Sequence, residues 1–224
     1  MAPHSRGPRT LSDIAEQRLR DAIFTGELPP GSPIHIQDQV EQLEMSHVPI
    51  REALRYLEHS GLIERRPHHP MTVAPMSVKD LLETCDMRIT LETLAIRRAA
   101  EKITIEEQAH LEGLLQEYSE TFQAATDLTR QLHRGLHMAI YATADSAWLG
   151  RTVTMLWDNC ERYQRLNVDS APPAEVLADH GRLVELCATH DLDGASAALE
   201  THIRGNIEGI IRTLREEDHA DVSD

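Results

Sequence analysis

The sequence predicts a mostly α protein in two parts: an N-terminal winged helix-turn-helix of three helices and a β-hairpin wing, then an antiparallel all-helical bundle of about six helices. Three observations predict it. Residues 46–66, SHVPIREALRYLEHSGLIERR, read as a short turn, a helix with proline in its first turn, a glycine stop and a strand ending in two arginines. From residue 78 onward the apolar positions keep helical spacing and no strand pattern interrupts them. The charge is also divided: the chain of 224 residues carries −15, but residues 1–75 hold eight Lys/Arg against ten Asp/Glu, whereas residues 76–224 hold fourteen against twenty-seven. A boundary near Pro75 follows, giving parts at 10–75 and 77–217 and an acidic tail at 218–224.

In the first part, Thr10 is placed to cap a helix whose Leu11, Ile14, Ala15, Leu19 and Ile23 share a face, and Gly26 stops it. LPPGSP is a turn by composition. Ile36, Val40 and Leu43 mark a short second helix, and Met45-Ser46-His47 the turn after it. Pro49 suits the first turn of the third helix, where a missing N–H costs no hydrogen bond. Ile50, Ala53, Leu54 and Leu57 form its buried stripe, and Gly61 is placed to end it in a left-handed conformation. Leu62–Arg66 and Met71–Ala74 are predicted strands joined by Pro67-His68-His69-Pro70.

In the second part, helices are predicted at 78–101, 105–123, 127–144, 147–166, 173–189 and 192–216. Ser77 with Asp80 and Thr104 with Glu107 have the spacing of capping boxes. Pro172-Pro173 opens the fifth helix and Asp191 is placed to cap the sixth. Leu111, Leu114, Leu115, Tyr118 and Phe122 make one inward stripe; Val176, Leu177, Leu183, Val184 and Cys187 make another.

Composition excludes several classes. No run of 18 apolar residues is present, so a membrane span is not expected, and the N-terminus lacks the apolar core of a secretory signal. Cys85, Cys160 and Cys187 are widely spaced on helical patterns, which suits reduced thiols in a cytoplasmic protein. No H-E-x-x-H motif, P-loop or nucleophile elbow occurs.

Two clusters carry chemistry. Ser46, His47, Val48, Arg51 and Arg55 project from the start and outer face of the third helix, where a recognition helix meets base edges in the major groove. Arg51 is the best placed for a base or phosphate, against the alternative that it pairs with Glu52 or Glu58. With the surrounding chain acidic, Arg51, Arg55, Arg65 and Arg66 must concentrate the positive charge on one face. In the bundle, four of the thirteen histidines fall on inward faces: His133 and His137, four apart on one helix, His180 and His202. Neutral imidazole is the commonest metal ligand, and four such residues on three helices favour a metal site over four unrelated core histidines.

The run PGSPIHIQDQVEQLEMSHVPIREALRYLEHSGLIERRPHHPMTV resembles the DNA-binding domain of the GntR family of bacterial regulators over residues 11–75. The resemblance implies a double-stranded operator with two-fold symmetry, bound by a homodimer. Arg51 would touch DNA, with Ser46 at the phosphate backbone, His47 beside it at the start of the recognition helix, and Arg65, Arg66, His68 and His69 in a wing near the minor groove. His47 stands where arginine is frequent in the family, and the wing tip PHHP lacks the usual glycine.

Residues 78–217 resemble the FCD effector domain of the FadR subfamily, through MRITLETLAIRRAA, LHMAIYATADSAWL and DHGRLVELCATHDLDGASAALETHI; six helices suggest its VanR-like branch. The resemblance implies a divalent metal ion (zinc first, with nickel, iron, cobalt and manganese as alternatives) held by His137, His180 and His202, and a small carboxylate metabolite as effector. The family aspartate position holds His133. Three readings stay open: His133 replaces that carboxylate, three ligands suffice, or Asp127 contributes. Arg88 is a candidate clamp on the effector carboxylate, set against a simple i,i+4 pair with Glu92. The reading is a metabolite-responsive regulator, by this resemblance a repressor and not an enzyme, with a metal sensor and a histidine-metal enzyme as alternatives.

Overall fold

The computed structural model describes residues 10–67, 69–124, 127–164 and 173–220. Contacts divide the chain into two units: Met1–Ser77 with Asp158–Arg165, and Val78–Trp157 with Leu166–Asp224.

The first unit is built on three helices. α1 (Leu11–Thr25) starts at a reciprocal capping box, Thr10 accepting from the Asp13 amide and Asp13 from the Thr10 amide, and ends at Gly26 with φ 80°. α2 (Ile36–Leu43) is short, and α3 (His47–His59) follows a three-residue turn. Gly61, at φ 79°, turns the chain out of α3 as its place in the sequence predicts. Ala15, Leu19 and Ile23 of α1 meet Ile50, Ala53, Leu54 and Leu57 of α3 in one core, all nearly or wholly removed from solvent. Truncating one of the fully enclosed leucines, such as Leu54, to alanine costs about 2–5 kcal/mol at such sites. α2 contributes less apolar burial than its pattern predicts: Ile36, Val40 and Leu43 are only partly covered, and the buried residue is Gln39.

The wing is shorter than predicted. β1 (Ile63–Glu64) and β2 (Thr72–Val73) pair antiparallel in the register Ile63↔Val73 and Glu64↔Thr72. Two prolines bracket the connection and withhold amides from any longer ladder. What the sequence reading takes as a plain turn does more. Residues 31–34 run beside β2, with Gly31 donating to the Val73 carbonyl, Val73 to Ser32 and Ile34 to Met71, at 2.8–3.0 Å. Gly31 holds φ 76° to begin that strip.

The same unit includes residues 158–164, which no sequence pattern assigns to it. Arg162 is buried and donates from Nη1 to the carbonyls of Ala74 (2.8 Å) and Pro75 (3.3 Å). Asn159 donates to the Ser60 carbonyl at 2.5 Å, Asp158 pairs with Arg20, and the Ser77 amide donates to the Tyr163 hydroxyl at 3.1 Å.

The second unit is helical throughout among its described residues: α4 (Val78–Lys102), α5 (Ile105–Thr121) with a 3-10 turn at Phe122–Ala124, α6 (Asp127–Ala142), α7 (Ala147–Glu161, from Asp158 counted with the first unit), α8 (Pro173–Ala188) and α9 (Leu192–Ala220). α4 packs along α9, and α5 lies against α6 and α8. The Thr104–Glu107 capping box opens α5 as predicted, and Asp191 accepts from the Gly194 amide to open α9. α9 runs on to Ala220, so the first residues of the segment read as an acidic tail are helical. Leu136, Ile140, Leu183, Cys187, Ala195 and Leu199 are among the enclosed core residues.

Candidate DNA-reading helix and histidine centre

At the start of α3, Ser46 occupies the N-cap with extended backbone and makes no side-chain cap bond. Ser46, His47, Val48, Arg51 and Arg55 are all exposed, because Pro49, Ile50, Ala53, Leu54 and Leu57 use the other face for the core. The acidic partners weighed against Arg51 are engaged elsewhere: Glu52 accepts from Ser12 and Glu58 pairs with Arg65 at 3.5 Å. Among the described residues no ion pair is formed by Arg51 or Arg55. Arg66 pairs with Glu64 at 2.9 Å, His69 is exposed, and His68 lies outside the described residues.

In the second unit, His133, His137, His180 and His202 come together. One ring nitrogen from each lies within 4.8 Å of the others. Helical spacing brings His133 and His137 side by side, ring centroids 4.9 Å apart; α8 supplies His180 and α9 His202, 4.7 Å from each other. His137 and His180 are buried, His133 and His202 partly so. His180 donates from Nδ1 to the Val176 carbonyl at 2.6 Å, and its Nε2 stands 3.1 Å from His137 Nε2. Asn206 stands 3.3 Å from His202 Nε2. Tyr118 and Trp157 wall the cluster, Tyr118 against His133 and His180, Trp157 against His133 and His137.

Electrostatics keep these rings neutral. Burial first, then the neighbouring imidazoles and Arg88, hold His133 and His137 well below the ordinary histidine value. The same causes lower His202 to about 3. Burial lowers His180 too, opposed by its Val176 bond and by Asp179. Neutral imidazoles are the ligating form.

Arg88 is buried beside the cluster. Its guanidinium grips Glu92 through Nε (2.5 Å) and Nη2 (3.2 Å) and lies over the Trp157 ring, 4.5 Å from the centroid. The Glu92 pairing weighed in the sequence is thus present, but in a buried setting. Glu92 also accepts from the Tyr141 hydroxyl at 2.6 Å, and Tyr141 Oη stands 3.2 Å from His137 Nδ1. Burial, then Glu92, raises the Tyr141 phenol well above its ordinary value, so it remains a proton donor. Sequence reasoning missed Tyr141, although it follows His137 by the same four residues that separate His137 from His133. Asp127 is part of α6, but its side chain lies outside what is described.

A winged helix-turn-helix with an exposed third helix in one unit, and a separate helical bundle in the other, is the layout of a DNA-binding transcriptional regulator. Comparison with known proteins agrees. Residues 11–73 match the family model of bacterial regulatory proteins of the gntR family, and residues 83–205 match the FCD domain. The chain is 30% identical over 209 residues to an uncharacterized HTH-type transcriptional regulator, BphR of Paraburkholderia xenovorans, covering 89% of this chain and 84% of that one. It is 26% identical to the HTH-type transcriptional repressor RspR of Escherichia coli, covering 89% and 88%. The solved structure of E. coli McbR/YncC superposes with a TM-score of 0.78 at 25% identity, over 92% of this chain and 99% of that one. The chain therefore belongs to the GntR family of transcriptional regulators, in the group that carries an FCD domain.

Proposed function

We propose that this regulator is a repressor whose hold on its operator is set by a small carboxylate bound at a metal ion in the histidine centre. The observation that carries the reading is the convergence of four neutral imidazoles from three helices within 4.8 Å. One facing pair already has the spacing of two ligands to one ion: nitrogens about 2.1 Å from a shared metal stand roughly 2.9–3.4 Å apart at angles between about 90° and 109°, and His137 Nε2 and His180 Nε2 are 3.1 Å apart. The all-nitrogen donor set suits zinc, nickel, cobalt or iron better than magnesium or calcium. His133, His137, His180 and His202 would hold the ion, which as a Lewis acid supplies an attachment point for a carboxylate. Arg88 would clamp the carboxylate only by giving up part of its pairing with Glu92, so the attraction for an anion rests first on the ion.

In the first unit, His47, Arg51 and Arg55 would meet the major groove and Ser46 the phosphate backbone, with Arg65, Arg66, His68 and His69 in the wing near the minor groove. A homodimer would present two such helices to a two-fold symmetric operator. Effector control requires that the ligand bind one arrangement of the dimer more tightly than the other. RspR, a named repressor of similar length, supports the direction of regulation. A chromosomal operator places the protein in the cytoplasm, at the nucleoid.

A second reading is a metal sensor. Four imidazoles alone complete a tetrahedral shell and leave no position for a carboxylate. One experiment separates the two. Metal analysis of the purified protein is followed by operator binding with zinc alone and with zinc plus small carboxylic acids. The effector reading expects stoichiometric metal, with release only when an acid is added. Release by zinc alone selects the sensor. Failure of His137→Ala and His180→Ala to reduce metal content overturns both.

A further inference from the structure

His137 differs from its three neighbours in where its hydrogen bonds lead. Its Nδ1 points out of the cluster to Tyr141 Oη at 3.2 Å, and that hydroxyl lies 2.6 Å from Glu92 Oε2. Glu92 has no exposed surface and is gripped by Arg88. A carboxylate in an ion pair accepts and does not donate. A separation of 2.6 Å is that of a charge-assisted O–H···O bond, so the single proton of the Tyr141 hydroxyl lies toward Glu92. The phenolic oxygen then offers His137 only a lone pair, and Nδ1 of His137 must carry the hydrogen between them.

We propose that Glu92 and Tyr141 are positioning residues of the histidine centre, holding His137 in its Nδ1–H form so that a bare Nε2 faces the other rings. His180 reaches the same form by another route, because the Val176 carbonyl that its Nδ1 meets can only accept. The two Nε2 atoms that face each other at 3.1 Å then both present lone pairs, with no hydrogen to share. That arrangement repels unless a cation stands between the nitrogens. The relay rests on the metal reading above and deepens it, by naming what sets the ligand geometry from outside the ligand shell. Outer partners of this kind orient the ring, raise its basicity and typically contribute about 10–100-fold in metal affinity.

Long-range proton–nitrogen NMR spectra of the metal-free, full-length protein read the tautomer directly, with His137→Gln used to assign the ring. The wild type is expected to show His137 protonated at Nδ1. Tyr141→Phe is expected to lose that preference, to bind zinc about 10–100-fold more weakly against a competing chelator, and to change the visible spectrum of the cobalt-loaded protein. Glu92→Gln, of nearly the same shape, is expected to weaken zinc in the same direction, and it serves as the test variant should Tyr141→Phe fail to fold. A wild-type His137 protonated at Nε2 overturns the proposal whatever the metal affinity. So does a folded Tyr141→Phe protein with the wild-type tautomer and zinc affinity. A wild type with the expected tautomer that takes up neither zinc nor cobalt removes the metal reading and leaves the relay standing.

Discussion

Arg162 donates from Nη1 to the carbonyl of Ala74 at 2.8 Å, tying residue 162 to the strand end of the wing 88 positions earlier. The guanidinium is buried, and Nε is spent on the Asn159 carbonyl at 3.0 Å. Replacing Arg162 with methionine keeps the apolar stem but leaves the Ala74 and Pro75 carbonyls without this donor. Leaving a buried acceptor unsatisfied costs about 1–3 kcal/mol. The expected outcome is a loss of that size in urea unfolding of the full-length protein. Stability equal to wild type would show that water replaces the arginine without penalty.

That contact also marks where the sequence stops being legible. Gly61 can be read as a helix stop from its position alone, and its φ of 79° agrees. A second constraint is hidden: a Cβ at Gly61 would stand 3.2 Å from the Asn159 side chain. Nothing within residues 46–66 points to residue 159. The histidines were legible because helical spacing puts His133 and His137 on one face, and because His180 and His202 interrupt apolar stripes. Tyr141 and Glu92 were not read as part of the centre, because a tyrosine in an inward stripe has the pattern of ordinary core and an i,i+4 Arg–Glu pair that of a solvated helix face. Only burial shows otherwise: Glu92 is 0% exposed. The wing strands are shorter than the run Leu62–Arg66 suggests, because Pro67 and Pro70 withhold amides from a longer ladder.

Arg51 and Arg65 are expected to separate base reading from backbone attraction. Arg51 projects from the exposed face of α3 with its candidate acidic partners engaged elsewhere. Arg51→Ala is expected to weaken binding to a selected operator by about 1–3 kcal/mol and to relax the preference at one base pair. Arg65, in the wing, is expected on alanine substitution to weaken all sequences alike and to lower the salt slope by about one. Fluorescence anisotropy over a range of salt measures both. Equal, operator-specific losses for the two variants would contradict the division.

His133 sets the charge of the centre. With four neutral imidazoles, a divalent ion keeps its full charge, whereas an aspartate at position 133 would cancel one unit. A unit charge ~4 Å away at an effective dielectric of about 20 is worth up to ~4 kcal/mol, and even a third of that is about tenfold in affinity. Zinc-loaded His133→Asp is therefore expected to bind acetate and oxalate about tenfold more weakly than wild type, or worse, by calorimetry. Tighter binding by the Asp variant would show that ligand geometry, not charge, decides the affinity.

The same rings fix how the metal-free protein responds to acid. Burial lowers His133, His137 and His180, and lowers His202 to about 3, against an unfolded value of 6.5. The unfolded chain thus takes up protons at these positions as the pH falls through 6.5, while the folded chain does so only at lower pH, for His202 near 3. Stability from the neutral rings is fully present above pH 6.5 and is lost progressively below it. Each extra proton bound by the unfolded state removes about 1.4 kcal/mol per pH unit. The thermal midpoint of the metal-free protein is expected to fall by several degrees between pH 7.5 and 5.5, with a flatter slope for His202→Asn. A midpoint that is level or rises over that range would mean that the rings already accept protons in the folded state, and the facing pair His137–His180 would then share a hydrogen in place of a metal.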